Sequence, residues 1–200
     1  MSIAEKLTTI AENQQAVYDA GKQAEYDAFW DVFQNYGNSQ TYASAFSSNA
    51  WTDENYNPKY TFKVQGNNNM FASNTKITDT KVPIDMSENT GQVFYVFQNA
   101  SKLVTIRKLI VKNTQGYSKY FDNCTSLQNI EFEGVISKNI DFQYSPLLSK
   151  ASIENIVSCL SATSTGTTLT LSQTAVDNAF TTDEWNALIA DKTNWTFSLV

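Results

Sequence analysis

Histidine is absent from this 200-residue sequence, and arginine occurs once, at Arg107. Because histidine is the commonest general base and a frequent metal ligand, its absence excludes serine–histidine and cysteine–histidine catalysis and a histidine zinc site within the chain. Charged residues make up only 17% of the sequence, and the formal net charge is −6. We therefore expect no nucleic-acid partner, since binding to phosphates requires a cluster of cationic side chains.

Cysteine and long apolar runs are also scarce. The two cysteines, Cys124 and Cys159, do not make a disulfide framework, and we expect Cys124 to be a reduced thiol in the core. Residues 1–10 lack the basic start and apolar run of a signal peptide, and no later run approaches the ~20 apolar residues of a transmembrane helix. The sequence therefore predicts no insertion in a membrane and no export by the general secretory route.

One pattern occurs twice, as VFQNASKLVTIRKLIV from Val96 and as YFDNCTSLQNIEFEGV from Tyr120. In each copy a phenylalanine is followed at +2 by Asn, at +3 by a small residue, at +6 by Leu and at +9 by Ile. Weaker copies begin at Phe71, with Ile77, Val82 and Ile84, and at Phe142, with Leu148, Ala151 and Ile153. The four phenylalanines are 26, 24 and 21 residues apart, and this period predicts a repeat solenoid in which each copy adds one short strand.

The repeated apolar positions are expected to form the core of that solenoid. They are Phe71, Phe97, Leu103, Ile106, Phe121, Leu127, Ile130, Phe142 and Leu148. A tight coil leaves backbone groups at each bend that need partners, and an asparagine side chain can donate to them and accept from them. We therefore expect Asn99 and Asn123 to satisfy backbone groups at the bends.

The segment Phe121–Ile130 resembles the unit of BspA-like leucine-rich repeat proteins, which reads roughly F-x-x-C-x-S-L-x-x-I. The resemblance covers about residues 70–160. It implies an α/β fold with a short right-handed leucine-rich-repeat solenoid. Members of this family are mostly bacterial surface proteins implicated in adhesion, and relatives occur among structural proteins of prophages in gut Firmicutes. The resemblance thus implies protein or glycan binding rather than catalysis.

Residues 2–34 read as one long helix without proline. A 4-3 alternation of apolar positions within it predicts a coiled-coil seam of about four heptads. Its strongest members, Ile3, Leu7, Ile10 and Val17, are expected to mediate self-association, because leucine at a with isoleucine at d favours trimers or tetramers. We expect a trimer first. The alternative is an amphipathic helix that lies on its own domain, which the bulky stripe of Tyr26, Phe29, Trp30 and Phe33 favours for the later part.

This same opening, SIAEKLTTIAENQQAVYDAGKQAEYDAFWDVFQ, resembles the N-terminus of many Firmicutes prophage proteins that carry variable C-terminal modules. That resemblance favours a virion location over a cell-wall location, because structural proteins of phages need no signal peptide.

Four regions follow along the chain: an N-terminal helix (1–35), a connector (36–59), the solenoid (60–172) and a C-terminal cap of helix and strand (173–200). The connector is rich in aromatics, which we expect to pack against the helix rather than to form a glycan-stacking surface. In the later part, Ser149 is expected to cap a helix that runs to Leu160, and Thr168–Leu171 to form a strand. Thr181 and Glu184 predict a capping box, and Trp195–Val200 an edge strand.

No catalytic, metal-binding or cofactor-binding motif occurs, so we expect a protein that is not an enzyme and uses no cofactor. Three acidic pairs are the only candidates for glycoside-hydrolase chemistry, and we interpret them as surface carboxylates: Asp53 and Glu54, Glu131 and Glu133, Asp183 and Glu184. Two functions remain open. The chain is either a prophage virion protein of a tail or spike that contacts a host-cell surface, or an adhesin-like module at the bacterial surface or outside the cell.

Overall fold

The structure of the chain is a computed structural model that describes residues 12–14, 16–25, 27–28, 45–64, 69–88, 95–112, 116–117 and 119–200. Of the predicted seam, Ile3, Leu7 and Ile10 lie outside these ranges, and Val17 is 74% exposed. Residues 12–14, 16–25 and 27–28 are helical, so one continuous helix over residues 2–34 stays a prediction. An ion pair of 2.5 Å between Asp27 and Lys59 connects this helical segment to the rest of the chain.

After the N-terminal helical segment, the described residues form two parallel sheets and three further helices. The first sheet has the order β1-β2-β3-β4, and its strands are Phe62–Lys63, Ile84–Asp85, Thr105–Val111 and Asn129–Gly134. The second sheet has the order β5-β6-β7, with the strands Ile140–Phe142, Thr167–Leu171 and Trp195–Leu199. The helices are α1 (Lys150–Ser158), α2 (Gln173–Ala179) and α3 (Thr182–Ile189). The predicted α/β class is confirmed, since every pairing in both sheets is parallel.

A column of five phenylalanine rings runs through the core. Their centroids are 5.1 Å apart between Phe46 and Phe71, 5.5 Å between Phe71 and Phe97, 5.8 Å between Phe97 and Phe121, and 4.4 Å between Phe121 and Phe142. The last three pairs are stacked within 18° of parallel. Because strands in a sheet lie about 4.8 Å apart, this spacing means that each repeat contributes one ring at each strand step.

A backbone ladder parallel to this column joins the residues seven positions after each phenylalanine. Ser149 donates its N–H to the carbonyl of Gln128, Gln128 to Val104 and Val104 to Thr78, at 2.9, 2.9 and 2.8 Å. The Thr78 N–H then donates to the carboxylate of Asp53, seven residues after Phe46, at 2.8 Å. The side chain of Asp53 therefore replaces a backbone carbonyl where the ladder begins.

The turns around three of the phenylalanines share one backbone conformation. The residues two positions before and two after Phe71, Phe97 and Phe121 all have φ between 54° and 61°, and none is glycine; they are Asn69, Ser73, Tyr95, Asn99, Lys119 and Asn123. A left-handed residue with a side chain is unfavourable by about 1–2 kcal/mol. The same left-handed positions recur in three copies. The copies therefore share a backbone conformation as well as a pattern of apolar side chains.

All nine predicted core positions are buried, with at most 4% exposure. The small position at +3 is also buried in each copy, as Asn74, Ala100, Cys124 and Ser145. Burial raises the pKa of the Cys124 thiol to about 12, and both cysteines are free. The copy from Phe142 departs after Leu148, because α1 begins at Lys150 and leaves Ala151 exposed.

Two aromatics of the predicted connector belong to this core. The expected packing of the connector aromatics against the N-terminal helix stays a prediction, because Tyr26, Phe29, Trp30 and Phe33 lie outside the described residues. Phe46 and Tyr56 are fully buried, and Tyr56 packs edge-on against Phe46 and Phe71 at 4.8 and 5.6 Å. Trp51 packs edge-on against Phe46 at 5.3 Å. Residues of the predicted connector, Phe46 among them, are thus part of the packed core.

Helix α1 covers the last strand of the first sheet. Its N-cap Ser149 accepts from the Ser152 N–H, as predicted. Ser152 Oγ accepts from the Ile130 N–H at 2.9 Å, and the Asn155 amide accepts from the N–H of Phe132 at 2.6 Å and donates to its carbonyl at 3.2 Å. These side chains occupy the hydrogen-bonding positions of a further strand, so the open edge of β4 is closed.

In the C-terminal region the predicted capping box of Thr181 and Glu184 is confirmed. The strand predicted at Thr168–Leu171 is present and begins one residue earlier, at Thr167. Helix α2 was not predicted. Among the helices of the described residues, none combines the length and the apolar character that crossing a membrane requires.

Candidate functional site

The repeat asparagines lie on the exposed turns. Asn99 and Asn123 have φ of 60° and 59°, and the Nδ2 of Asn123 donates to the Oδ1 of Asn99 at 2.7 Å. Their side chains therefore bond each other across neighbouring copies instead of satisfying backbone groups, which corrects our expectation. Asparagine suits these positions because it tolerates the left-handed conformation.

The residue that does satisfy backbone groups at a bend is Asn74, which the sequence reading missed. It is 1% exposed, and its Nδ2 donates to the carbonyls of Phe46, Ser48 and Trp51 at 2.9, 3.0 and 3.1 Å. Its Oδ1 accepts from the N–H groups at residues 76 and 77. The signal was a polar residue at +3, where the other copies carry a small residue.

Two groups of ion pairs lie on the exposed face of β3 and β4. One joins β3 to Asp79, which forms an isolated bridge with Thr105, and the other joins β3 to β4. Arg107 contacts the Asp79 carboxylate with Nε at 3.0 Å and Nη2 at 2.5 Å, and this hydrogen bonding raises the pKa of Arg107. Lys108 contacts Glu133 at 3.0 Å and Glu131 at 3.1 Å, and these bonds raise the pKa of Lys108. The two glutamates of β4 face solvent as predicted, and Lys108 of the adjacent strand β3 contacts both.

In each of the other two acidic pairs, one carboxylate has a structural partner. Asp53 accepts from both the N–H and the hydroxyl of Thr78. Glu184 accepts from Thr181 and from Lys150, and these bonds, led by that from Lys150, lower the pKa of Glu184 to about 2. No group of three or more acidic or cysteine side chains that could hold a metal ion occurs in the ranges that the structure describes.

A shallow groove of about 350 Å³ lies where β3 and β4 meet α1. Five of its seven polar lining side chains already have partners among the described residues, and the exceptions are Thr105 and Asn129. Arg107 is paired with Asp79 and Glu131 with Lys108. Ser149 bonds Ser152, and Ser152 and Asn155 bond the edge of β4. A ligand in this groove would have to displace these bonds, each of which supports the fold. We therefore do not assign the binding site to it.

A larger groove of about 790 Å³ lies between two loops near the second sheet. We call it the hydroxyl groove, because six of its nine lining residues are serine or threonine: Val135, Ser137, Lys138, Ser161, Ala162, Thr163, Ser164, Thr165 and Thr167. The first loop follows β4 and the second precedes β6. The sequence reading identified residues 161–166 only as a loop, because the opposing wall comes from residues almost 30 positions earlier.

Two residues at the start of β7 hold the second loop of the hydroxyl groove in place. The Nδ2 of Asn194 donates to the carbonyls of Ser161 and Ser164 at 2.9 and 2.7 Å, and the indole N–H of Trp195 donates to the Ser161 carbonyl at 2.9 Å. Ser164 Oγ crosses the groove and donates to the Ser137 carbonyl at 3.2 Å. These bonds hold the two walls at a fixed separation, which preorganises the groove for a ligand.

Several polar groups of the hydroxyl groove remain available. The hydroxyls of Ser137 and Thr165 and the ammonium of Lys138 have no hydrogen-bond or ion-pair partner among the described residues. Thr167 is 7% exposed, and its hydroxyl has no partner among them either. Unpaired hydroxyls beside one cation are suited to hydrogen bonding with a ligand that carries many oxygen atoms.

No protein-family model, no curated protein and no solved structure matches this chain at a significant level.

Proposed function

We propose that this chain is a non-enzymatic binding module whose hydroxyl groove takes up a polyhydroxylated ligand, a glycan of a cell surface. The observation that carries the proposal is the contrast between the two grooves. In the groove where β3 and β4 meet α1, both charged side chains and the side chains of Ser152 and Asn155 are bonded within the protein. In the hydroxyl groove, the only charged side chain, Lys138, and the hydroxyls of Ser137 and Thr165 have no partner among the described residues. Unsatisfied polar groups on a fixed frame are what a ligand-binding groove needs.

The frame of the module is, in this proposal, a short BspA-like leucine-rich-repeat solenoid. The phenylalanine column, the ladder at +7 and the recurring left-handed turns support this, because each joins one copy to the next. A stack of this kind presents rigid loops at fixed positions, and rigid elements hold binding groups more accurately than free loops.

The proposed setting is a tail or spike of a prophage virion, in which the module contacts the surface of the host cell. Oligomerisation through Ile3, Leu7, Ile10 and Val17, a trimer in the first instance, would hold several grooves side by side. Weak contacts to a repetitive glycan then add through avidity. An adhesin-like protein of a bacterial surface is the alternative setting. Neighbouring tail or lysis genes support the virion, and neighbouring sortase or secretion genes support the adhesin.

Glycan-array binding of the intact chain tests the ligand. Lys138→Ala should weaken binding at least about tenfold, because hydrogen bonds to a charged group contribute about 1.5–3 kcal/mol. Lys102→Ala is the matched control: it removes the same charge from an exposed turn of the stack, away from the groove, and should bind as the parent does. Binding that is unchanged in Lys138→Ala would exclude the hydroxyl groove as the site.

Sedimentation of the intact chain and of a variant without residues 1–20 tests the setting. The proposal expects a trimer for the intact chain and a folded monomer for the shortened one, with weaker binding to whole cells. A monomer of ~22 kDa for the intact chain would remove the avidity argument and leave single-site binding.

A further inference from the structure

The second sheet ends at β7, and the pairing there fixes which backbone groups face outward. Val200 donates its N–H to the Leu171 carbonyl at 3.1 Å and accepts from the Gln173 N–H at 2.7 Å, so Val200 bonds toward β6. Backbone direction alternates along a strand, so Thr196 and Ser198 also bond toward β6. The N–H and C=O groups of Phe197 and Leu199 therefore point away from the sheet.

These outward groups have no hydrogen-bond partner within the part of the chain that the structure describes. The edge of β4 is different, since Ser152 and Asn155 of α1 bond to the groups of Ile130 and Phe132 that face outward there. The edge of β4 is thus closed by side chains, whereas no described residue bonds to the outward groups of β7. Proteins usually protect an exposed edge strand with charge, proline, a bulge or a covering segment.

None of the usual side-chain protections is present on β7. The segment from Trp195 to Val200 reads WTFSLV and carries no charge and no proline, in a chain whose net charge is −6. Its register with β6 continues without a bulge over all five residues. Val200 is 58% exposed, and Phe197 and Leu199 are partly exposed.

We propose that the β7 edge is a self-association surface on which the β7 strand of a second copy of this chain adds in antiparallel orientation. The edge requires a strand with unpaired backbone groups at alternate residues, and a second β7 supplies the same groups about a two-fold axis. The net charge of −6 makes two copies repel each other, but the strand from Trp195 to Val200 has no charged side chain. Pairing of two β7 strands therefore places no like-charged strand side chains opposite each other. The contact is independent of the proposed glycan site and of residues 1–20.

Amide hydrogen exchange of the intact chain, followed residue by residue by NMR at micromolar and millimolar concentration, tests this contact. The amides of Phe197 and Leu199 should exchange at least about tenfold more slowly at the higher concentration, because pairing with a second copy protects them. The amides of Thr196 and Ser198 are internal controls, since β6 already protects them at both concentrations. Association through residues 1–20 would leave Phe197 and Leu199 unchanged.

A pair of substitutions at one position isolates the outward donor. Leu199→Pro removes the N–H that a second copy would use and leaves the bonds to β6 in place, so protection of Phe197 should no longer depend on concentration. Leu199→Ala removes the same side chain but keeps the N–H, and it should associate as the parent does. Slow exchange at Thr196 and Ser198 verifies that each variant is folded. Rates at Phe197 and Leu199 that do not change with concentration in the parent would overturn the proposal.

Discussion

The two sheets connect their parallel strands in different ways. From β3 to β4 the chain advances 24 residues and contains turns with left-handed residues, and the described residues of this connection form no helix. From β6 to β7 it advances 28 residues and contains α2 and α3. A helix satisfies its own backbone groups, whereas the turns of the stack rely on bonds to the copy before or after, such as that from Asn99 N to Asp122 O at 2.8 Å. Each copy of the phenylalanine repeat therefore depends on the adjacent copies for its backbone hydrogen bonds. The connection through α2 and α3 depends less on its neighbours.

The first prediction probes this dependence at the ring column. Phe121→Ala should lower the free energy of unfolding by about 3–5 kcal/mol, because it leaves a cavity between two stacked rings. Phe180→Ala in the helical region should lower it less, since Phe180 is 9% exposed and its ring contacts Trp185 at 5.9 Å at the margin of the core. Urea denaturation measures both. A larger loss for Phe180 than for Phe121 would contradict the comparison.

The second prediction concerns the point where the two regions meet. Asn155→Ala should lower the free energy of unfolding by about 1–3 kcal/mol, because it leaves the N–H and C=O of Phe132 without their partner. Glu154→Ala, one residue earlier on the same helix and exposed, should change it by less than about 0.5 kcal/mol. If the two variants unfold alike in urea, the amide of Asn155 does not close the edge of β4.

The third prediction concerns the turns that distinguish the stack. Asn123→Val should destabilise by about 1–2 kcal/mol, because a branched side chain is unfavourable at a φ of 59°. Asn123→Gly also removes the bond to Asn99 but fits this conformation, so it should be close to the parent. The difference between their melting temperatures isolates the backbone contribution. Equal melting temperatures would show that the turn relaxes without loss.

The smallest effect is expected at the ion pair between α1 and α3. Bonds from Lys150 and Thr181 lower the pKa of Glu184 to about 2, below its ordinary value of 4.5. A lowered pKa in the folded state means that this contribution is complete above pH 4.5 and is lost as the pH falls toward 2. Glu184→Gln should therefore reduce the change in melting temperature across this window. An unchanged pH profile would argue against the ion pair.

The fold was predictable where the same residue types recur at the same spacing along the sequence. Phe97 and Phe121 start copies that agree at four later positions. Their neighbours in the column, Phe71 and Phe142, followed from the spacing and from an aliphatic residue at +6. Phe46 was missed because the residue at +6 is Thr52 and not a large aliphatic residue, although its ring and its backbone bond to Met70 place it in the same column.

The candidate site was less predictable, because it depends on which loops the fold places opposite each other. Serine and threonine are common in loops, so the residues of the hydroxyl groove carried no signal until the loops after β4 and before β6 were placed opposite each other. Helix α2 was missed because its only buried apolar residues are Ala175 and Val176, which form too short a stripe to indicate a helix.

The backbone ladder from Asp53 to Ser149 also has a consequence for folding kinetics. Its four steps join residues that are 25, 26, 24 and 21 positions apart, so each step closes a loop of nearly the same length. Loop-closure entropy grows only with the logarithm of loop length, so the entropic barrier for adding each rung is nearly constant. A chain with one more inserted copy should then gain stability from the new neighbour contacts, while the elementary step that limits its folding keeps the same rate.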